Sequence, residues 1–192
     1  MFEQFFANAS NLVRFTNQEK QLIEHAFTFR QVPKKFKLTE QGKIAREVCF
    51  INKGLLRLYY TKDGEDITAF IFKENLFASC YDSFLRKVPS ILTLEALEDA
   101  DLLVINYEEL HQLYELVPAM NTLSRKIAEQ RFVNAQMILS SYILDSPEER
   151  YRKFEAEHGD LLLRVPHYMI ASFLGITPVS LSRIRKRLMG AE

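Results

Sequence analysis

The stretch 165–188 constrains the possible folds of this sequence more than any other part of it. It reads VPHYMIASFLGITPVSLSRIRKRL and predicts two short helices joined by a tight turn. Pro166 can open the first helix, Gly175 tolerates the left-handed backbone that ends it, and Thr177 with Pro178 can start the second. A short helix, a glycine turn and a basic helix are typical of a helix-turn-helix, which places its second helix in the major groove of DNA.

The second predicted helix is amphipathic and basic. Leu181, Ile184 and Leu188 recur at spacings of three and four, so we expect them to face the protein. Its other faces carry four basic side chains, namely Arg183, Arg185, Lys186 and Arg187. Helix–glycine–helix corners are common in proteins, but this concentration of positive charge favours contact with a polyanion.

Charge is distributed unevenly along a chain whose formal net charge is +0. Residues 161–192 contain five Lys and Arg but one acidic residue, whereas residues 63–115 contain twelve Asp and Glu. Because the middle of the chain repels a polyanion, nucleic-acid contact is expected only in the C-terminal part.

The region from Phe27 to Ile105 predicts an antiparallel β sandwich or roll. Its apolar or alternating runs are 47–51, 55–60, 67–72, 91–97 and 102–105. Asp63-Gly64 lies between two of these runs and is a strong hairpin signal. Helices are expected before this region, where Thr16 and Glu19 have the spacing of a capping box.

A long helix is predicted after the β region. Asn106 and Glu109 suggest a cap, and Pro118 divides a short helix from the long one, which extends to about Tyr142. Residues at the spacing of a coiled-coil seam predict a dimer interface made by Leu123, Ile127, Gln130, Asn134 and Met137. Further apolar residues on other faces indicate that the helix also packs within its own chain.

The remaining elements complete an α+β fold. Ser146 and Pro147 predict another helix start, and residues 161–165 (LLLRV) are expected to be a short strand or extended segment. We therefore divide the chain into a sensor β-roll domain with flanking helices (1–117), a dimerisation helix (118–144) and a helix-turn-helix domain (145–192).

Other classes of protein find less support in the composition. Two cysteines cannot build a disulfide framework or a four-thiolate cluster. The sequence has neither a signal-peptide pattern nor an apolar run of membrane-spanning length, so a cytoplasmic protein without membrane contact is expected. The four histidines are scattered along the sequence, and no metal site is predicted.

The order of these elements resembles the CRP/FNR family of bacterial transcription regulators. The resemblance is carried by Gly42, FINKGLLRLYY (50–60) with Asp63-Gly64, SPEERYRKF (146–154) and, most specifically, VPHYMIASFLGITPVSLSRIRK (165–186). It implies a jelly roll like a cyclic nucleotide-binding domain, a winged-helix-like reader and a homodimer on palindromic double-stranded DNA. It also implies a small-molecule effector in the roll and RNA polymerase as a further partner.

The resemblance also assigns positions that contact DNA. Val179 and Arg183 stand where family members touch base edges, and Thr177 and Ser180 stand where they touch phosphates. Lys186 and Arg187 complete the predicted DNA-binding set. The planar fork of an arginine can pair with guanine O6 and N7. Many relatives have Glu where this chain has Val179, so the usual family half-site is not expected, and the end at Glu192 predicts a reduced wing.

The phosphate-binding motif of the family's cyclic-nucleotide binders is missing. Ala78-Ser79-Cys80 and Pro89-Ser90-Ile91 stand where those proteins have Gly-Glu-Leu and Arg-Ser/Thr-Ala. Without the arginine a buried cyclic phosphate lacks a counter-charge. Arg86 or Lys87 could replace it, although an exposed solubilising loop is the simpler interpretation. No cofactor is therefore evident, and a cyclic nucleotide is not the expected effector.

Two alternatives to a DNA-binding regulator stay open from the sequence. A β roll can be a cupin-like metalloenzyme, but no histidine occurs between residues 26 and 110 to hold a catalytic metal, so an enzyme is not expected. The chain could also be a ligand-binding or assembly module whose helix-turn-helix does not read DNA.

Overall fold

The β part of the chain is a roll of two four-stranded antiparallel sheets. A computed structural model describes residues 1–189. The eight strands are β1 (Thr28–Val32), β2 (Lys37–Thr39), β3 (Glu47–Lys53), β4 (Leu56–Lys62), β5 (Glu65–Phe72), β6 (Phe77–Ala78), β7 (Thr93–Ala96) and β8 (Ala100–Asn106). One sheet has the order β1-β8-β3-β6 and the other the order β2-β7-β4-β5. The predicted antiparallel roll is confirmed.

Helices flank the roll and form all of the C-terminal part that is described. They are α1 (Glu3–Ala9), α2 (Asn17–Ala26), α3 (Tyr81–Arg86), α4 (Tyr107–Leu116), α5 (Pro118–Leu144), α6 (Pro147–His158), α7 (Leu161–Arg164), α8 (His167–Phe173) and α9 (Pro178–Met189). The expected reduced wing would follow α9. Residues 190–192, where it would have to lie, are outside the described part of the chain.

Local signals placed several of these elements correctly. Asp63 and Gly64 both have positive φ, as a two-residue hairpin turn requires, and they connect the paired residues Lys62 and Glu65. Capping boxes start α2 at Thr16, α4 at Asn106 and α6 at Ser146. In each box the side chain of the cap residue accepts a hydrogen bond from the third helical N–H.

Residues 161–164 form a helical turn that ends at Val165, so the prediction of a short strand or extended segment over 161–165 is wrong. A strand would place residues 161, 163 and 165 on one side, whereas a helical turn places 161 and 165 together. Leu161 and Val165 are both buried, and Leu163 between them is 91% exposed. Pro166 is extended and precedes α8 as its N-cap, so the helix begins at His167 and not at the proline.

The C-terminal helices share a hydrophobic core with the roll. The roll contributes Leu55, Ile71 and Leu97 to this core, whose other buried members come from α6 to α9 and the segments between them. Edge strand β5 also bonds to α8, because the Thr68 N–H donates to Ser172 Oγ at 2.9 Å. These contacts hold the predicted helix-turn-helix against the outside of the roll.

Candidate nucleic-acid interface

The turn between α8 and α9 has the geometry that a helix-turn-helix needs. The Ile176 N–H donates to the Ala171 carbonyl at 3.0 Å, and the Gly175 N–H donates to the Ser172 carbonyl at 3.1 Å. This pair of bonds is the Schellman motif, in which the residue after the helix is left-handed. Gly175 has φ +65°, so the glycine predicted for this position is required by the backbone.

Thr177 starts α9 as predicted. Its Oγ1 accepts from the Ser180 N–H at 3.1 Å, and its carbonyl accepts from the Leu181 N–H at 3.0 Å. The Thr177 and Ser180 hydroxyls also bond to each other at 2.9 Å. The Thr177 hydroxyl therefore caps the helix and satisfies one of the N–H groups that a helix start leaves unpaired.

One face of α9 packs on the protein and the opposite face is exposed. Leu181 and Ile184 are buried, and Leu188 is half-buried in the same core. Four side chains recur at helical spacing on the exposed face, namely Val179, Ser182, Arg183 and Lys186. Ser182 was not in the predicted set. Its signal was present in the sequence, because it lies three residues after Val179 and four before Lys186 on one helical face.

The basic residues of the C-terminal part do not all reach this face. Arg187 pairs with Glu148 of α6, and Arg185 turns toward the ring of His167. Within residues 1–189, by contrast, neither Arg183 nor Lys186 forms an ion pair. The charge available to a polyanion on α9 is thus concentrated at Arg183 and Lys186.

Arg164 belongs to the contact between α7 and the roll. Its guanidinium donates to both carboxylate oxygens of Glu74, at 3.0 and 2.6 Å, and also pairs with Glu98. The hydrogen bond from Arg164 lowers the pKa of Glu74 from 4.5 to about 2. This arginine, which the sequence counted toward the basic C-terminal part, is therefore neutralised by the acidic roll.

The predicted dimer seam faces the chain's own roll over much of its length. Leu123 is 1% exposed because its side chain lies in the main core of its own chain. Ile127 packs on the same core. Gln130 and Asn134 are exposed and bond to each other at 2.9 Å, and Met137 is exposed as well.

The opposite face of α5 carries apolar residues that nothing in the described chain covers. Phe132, Leu139 and Ile143 are 65%, 60% and 72% exposed. With Gln136 between the first two, they recur at steps of four, three and four along the helix. That is the seam spacing of a two-stranded coiled coil, displaced from the one that the sequence suggested.

The serine side chains in the segments that replace the phosphate-binding motif donate to backbone carbonyls. Ser79 Oγ donates to the Glu47 carbonyl at 2.8 Å, and Ser90 Oγ donates to the Leu92 carbonyl at 2.7 Å. Arg86, the suggested replacement cation, pairs with Asp82 at 3.0 Å on the exposed surface of α3. In residues 1–189 no three His, Cys, Asp or Glu side chains come together as metal ligands would.

Comparisons with known proteins agree on one architecture. Residues 29–116 match the family model described as "Cyclic nucleotide-binding domain". FixK2 from Bradyrhizobium japonicum has a TM-score of 0.74 at 17% identity, with 86% of this chain and 85% of that chain covered. The fold is that of the CRP/FNR regulators. The resemblance stated from the sequence is thereby confirmed.

Two further proteins that are similar to this chain carry regulatory names. The c-di-GMP responsive global regulator CLP of Xanthomonas campestris has a TM-score of 0.73 at 16% identity, covering 92% of this chain and 93% of that chain. The anaerobic regulatory protein of Bacillus subtilis (strain 168) is 29% identical over 116 residues, which is 56% of this chain and 49% of that protein. The chain thus matches about half the length of this curated relative. No helix within residues 1–189 combines the length and apolar character needed to cross a membrane.

Proposed function

We propose that this protein is a homodimeric, DNA-binding transcription regulator that reads a palindromic site with α9. The observation that carries the proposal is the exposed face of α9, where Arg183 and Lys186 lie beside Val179 and Ser182 and form no ion pair with any of residues 1–189. A recognition helix lies in the major groove with such a face against the base edges. The regulatory names of the relatives and the CRP/FNR fold support the same function.

Each side chain of this face has a role that follows from its chemistry. Arg183 presents a planar fork that matches guanine O6 and N7, so we assign base recognition to it. Val179, 60% exposed, offers an apolar contact to a thymine methyl group. Lys186 contributes a positive point charge for phosphates, and the hydroxyl groups of Thr177 and Ser180 contribute hydrogen bonds to them. Arg187 joins them when DNA displaces Glu148 from its guanidinium.

Dimerisation is proposed through the exposed seam of α5 with Phe132, Leu139 and Ile143 at its centre. Three large apolar side chains in one stripe are costly to leave in water, and a second copy of the same stripe buries them symmetrically. Pairing along α5 would bring two recognition helices to one side of the dimer. The roll is proposed as the regulatory part, under the control of an effector that has yet to be identified.

A binding assay with Arg183→Ala tests the proposal. The probe is a duplex selected from random sequences by the wild-type protein, and a random duplex measures non-specific binding. Losing a bidentate guanine contact should weaken binding to the selected duplex by about 1–3 kcal/mol and relax the preference at one base pair. Binding to the random duplex should fall much less, because it depends on phosphates.

Arg152→Ala is the matched control for this assay. Arg152 is an exposed arginine of α6 that pairs with Glu148 at 3.0 Å. Its replacement by alanine therefore removes the same charge from a different surface of the protein. It should leave the preference for the selected duplex unchanged. A wild-type protein that enriches no sequence from the random pool would show that the proposed function is wrong.

A further inference from the structure

Two side chains from outside the helix-turn-helix satisfy the end of α8. The last carbonyls of a helix have no partner inside it, and N–H groups of the turn satisfy only the earlier ones. The Phe173 carbonyl accepts a hydrogen bond from the Tyr142 hydroxyl of α5. The Leu174 carbonyl accepts from Arg150 Nε of α6 at 2.9 Å. The turn is thus completed by the helices that precede it.

The ring of Tyr142 also packs on the turn glycine. A Cβ placed on Gly175 would lie 2.8 Å from Tyr142 Cε1, which is closer than real Cβ contacts allow. Gly175 is needed for its positive φ, and any side chain in its place would also have to displace the Tyr142 ring. The contact joins the C-terminal end of α5 directly to the corner from which α9 departs.

Arg150 connects three elements at the same place. Its NH1 donates at 2.7 Å to the carbonyl of Asp145, which is the cap of α5. Its guanidinium carbon lies 5.4 Å from the centroid of the Tyr142 ring, within the range of a cation–π contact. One arginine of α6 thereby binds the end of α5, the tyrosine and the turn carbonyl.

We infer that Tyr142 and Arg150 are positioning residues that fix the direction of α9 relative to α5. The inference rests on the proposed function, because α5 is there the axis of the dimer and α9 is the reader. The bond from β5 to Ser172 holds α8 to the roll, whereas Tyr142 and Arg150 hold the turn to the end of α5. They would thereby set the separation of the two recognition helices, which must match half-sites about 34 Å apart.

The DNA test uses Tyr142→Phe and Arg150→Met, which remove the donors and keep most of the packing. Each variant is measured on the duplex that the wild type selects, on versions with one or two base pairs inserted between the half-sites, and on a random duplex. Affinity for the selected duplex should fall about three- to tenfold, as expected for one lost hydrogen bond. Inserted base pairs should reduce the affinity of these variants less than they reduce that of the wild type. Binding to the random duplex should be unchanged.

Tyr168→Phe and Arg152→Met are the matched controls, because both side chains are exposed and, among residues 1–189, neither forms a hydrogen bond to the turn as Tyr142 and Arg150 do. They should keep the wild-type preference for spacing. If Tyr142→Phe and Arg150→Met weaken binding to all three kinds of duplex equally, or keep the full penalty for insertions, the inference is wrong.

A distance measurement tests, without DNA, whether Tyr142 and Arg150 fix the direction of α9 relative to α5. Spin labels are attached at Gln130→Cys on α5 and Ser182→Cys on α9, in chains diluted with unlabelled protein so that only distances within a chain are read. The native Cys49 and Cys80 are buried, and burial raises the pKa of the Cys49 thiol to about 12, so both should resist labelling.

The distance distribution should be narrow in the wild type and wider in Tyr142→Phe and Arg150→Met. An unchanged width would overturn the inference even where DNA binding is intact. A wild type that selects no duplex would instead refute the proposed function. The width of the distance distribution would then still decide whether Tyr142 and Arg150 fix the direction of α9.

Discussion

The two halves of α5 both contain large apolar residues, but their surroundings are opposite. In the N-terminal half, Met120 and Leu123 are fully buried against the roll, and Arg131 still reaches the Phe77 carbonyl. In the C-terminal half, Phe132 and Ile143 are among the most exposed large apolar side chains of the described residues. Apolar residues thus continue along the helix after its intramolecular partner has ended.

This difference shows that one helix has two separate tasks. The first half is part of the core of its own chain, so its apolar residues stabilise the monomer. The second half has apolar residues that stabilise the chain only when something covers them, and a seam spacing favours a second copy of the helix. Substitutions in the two halves should therefore affect different equilibria.

Leu123→Ala is expected to have the largest effect on the folding of the chain. Removing a buried leucine side chain leaves a cavity, and the free energy of unfolding should fall by about 2–5 kcal/mol. Leu139→Ala is the matched substitution in the exposed half, and in a monomeric chain it should cost less than about 0.5 kcal/mol. Urea denaturation at low protein concentration measures both, and equal losses would contradict the distinction between the halves.

Ile143→Asp should act mainly on the dimer. A charge in the middle of an apolar seam is expected to weaken dimerisation by about 2 kcal/mol, or roughly thirtyfold, as at other interface centres. Sedimentation equilibrium measures the change, and thermal denaturation at low concentration should show a chain that still folds. Gln130→Asp, on the opposite face of α5, is the control and should leave the dimer intact. If Ile143→Asp has the same molecular mass in solution as the wild-type dimer, the proposed seam is wrong.

The smallest effect is expected where the C-terminal helices contact the roll. Arg164 lowers the pKa of Glu74 to about 2, so this carboxylate stabilises the fold above its ordinary pKa of 4.5 and loses that contribution as the pH falls toward 2. Glu74→Gln should lower stability at pH 7 by about 1 kcal/mol, since the ion pair is partly exposed. Melting curves should show this difference disappearing at low pH. A difference that stays constant with pH would mean that the charge of Glu74 contributes nothing.

Local signals predicted much of the fold. The hairpin at Asp63-Gly64 and the caps at Thr16, Asn106 and Ser146 each depend on two to four neighbouring residues, and all lie where the sequence placed them. The helix–glycine–helix corner at Gly175 is of the same kind. Such features are predictable because their physical cause is contained in a short segment.

Features that depend on distant contacts were not predictable in the same way. Leu123 and Ile143 lie in equally apolar stretches of one helix, and only the roll's position decides which is buried. Where a strand was expected at residues 161–165 the chain forms a helical turn, which places both Leu161 and Val165 in the core that the C-terminal helices share with the roll. The bond between Tyr142 and the turn joins residues 31 apart in sequence and leaves no periodic signal.

Selection of duplexes from a random pool, followed by sequencing, tests the central claim most directly. The account predicts two inverted half-sites, with their centres about one helical turn apart, and a guanine in each half whose enrichment is lost in Arg183→Ala. Enrichment of no sequence, or of a single half without its inverted partner, would contradict a dimer that reads DNA through α9.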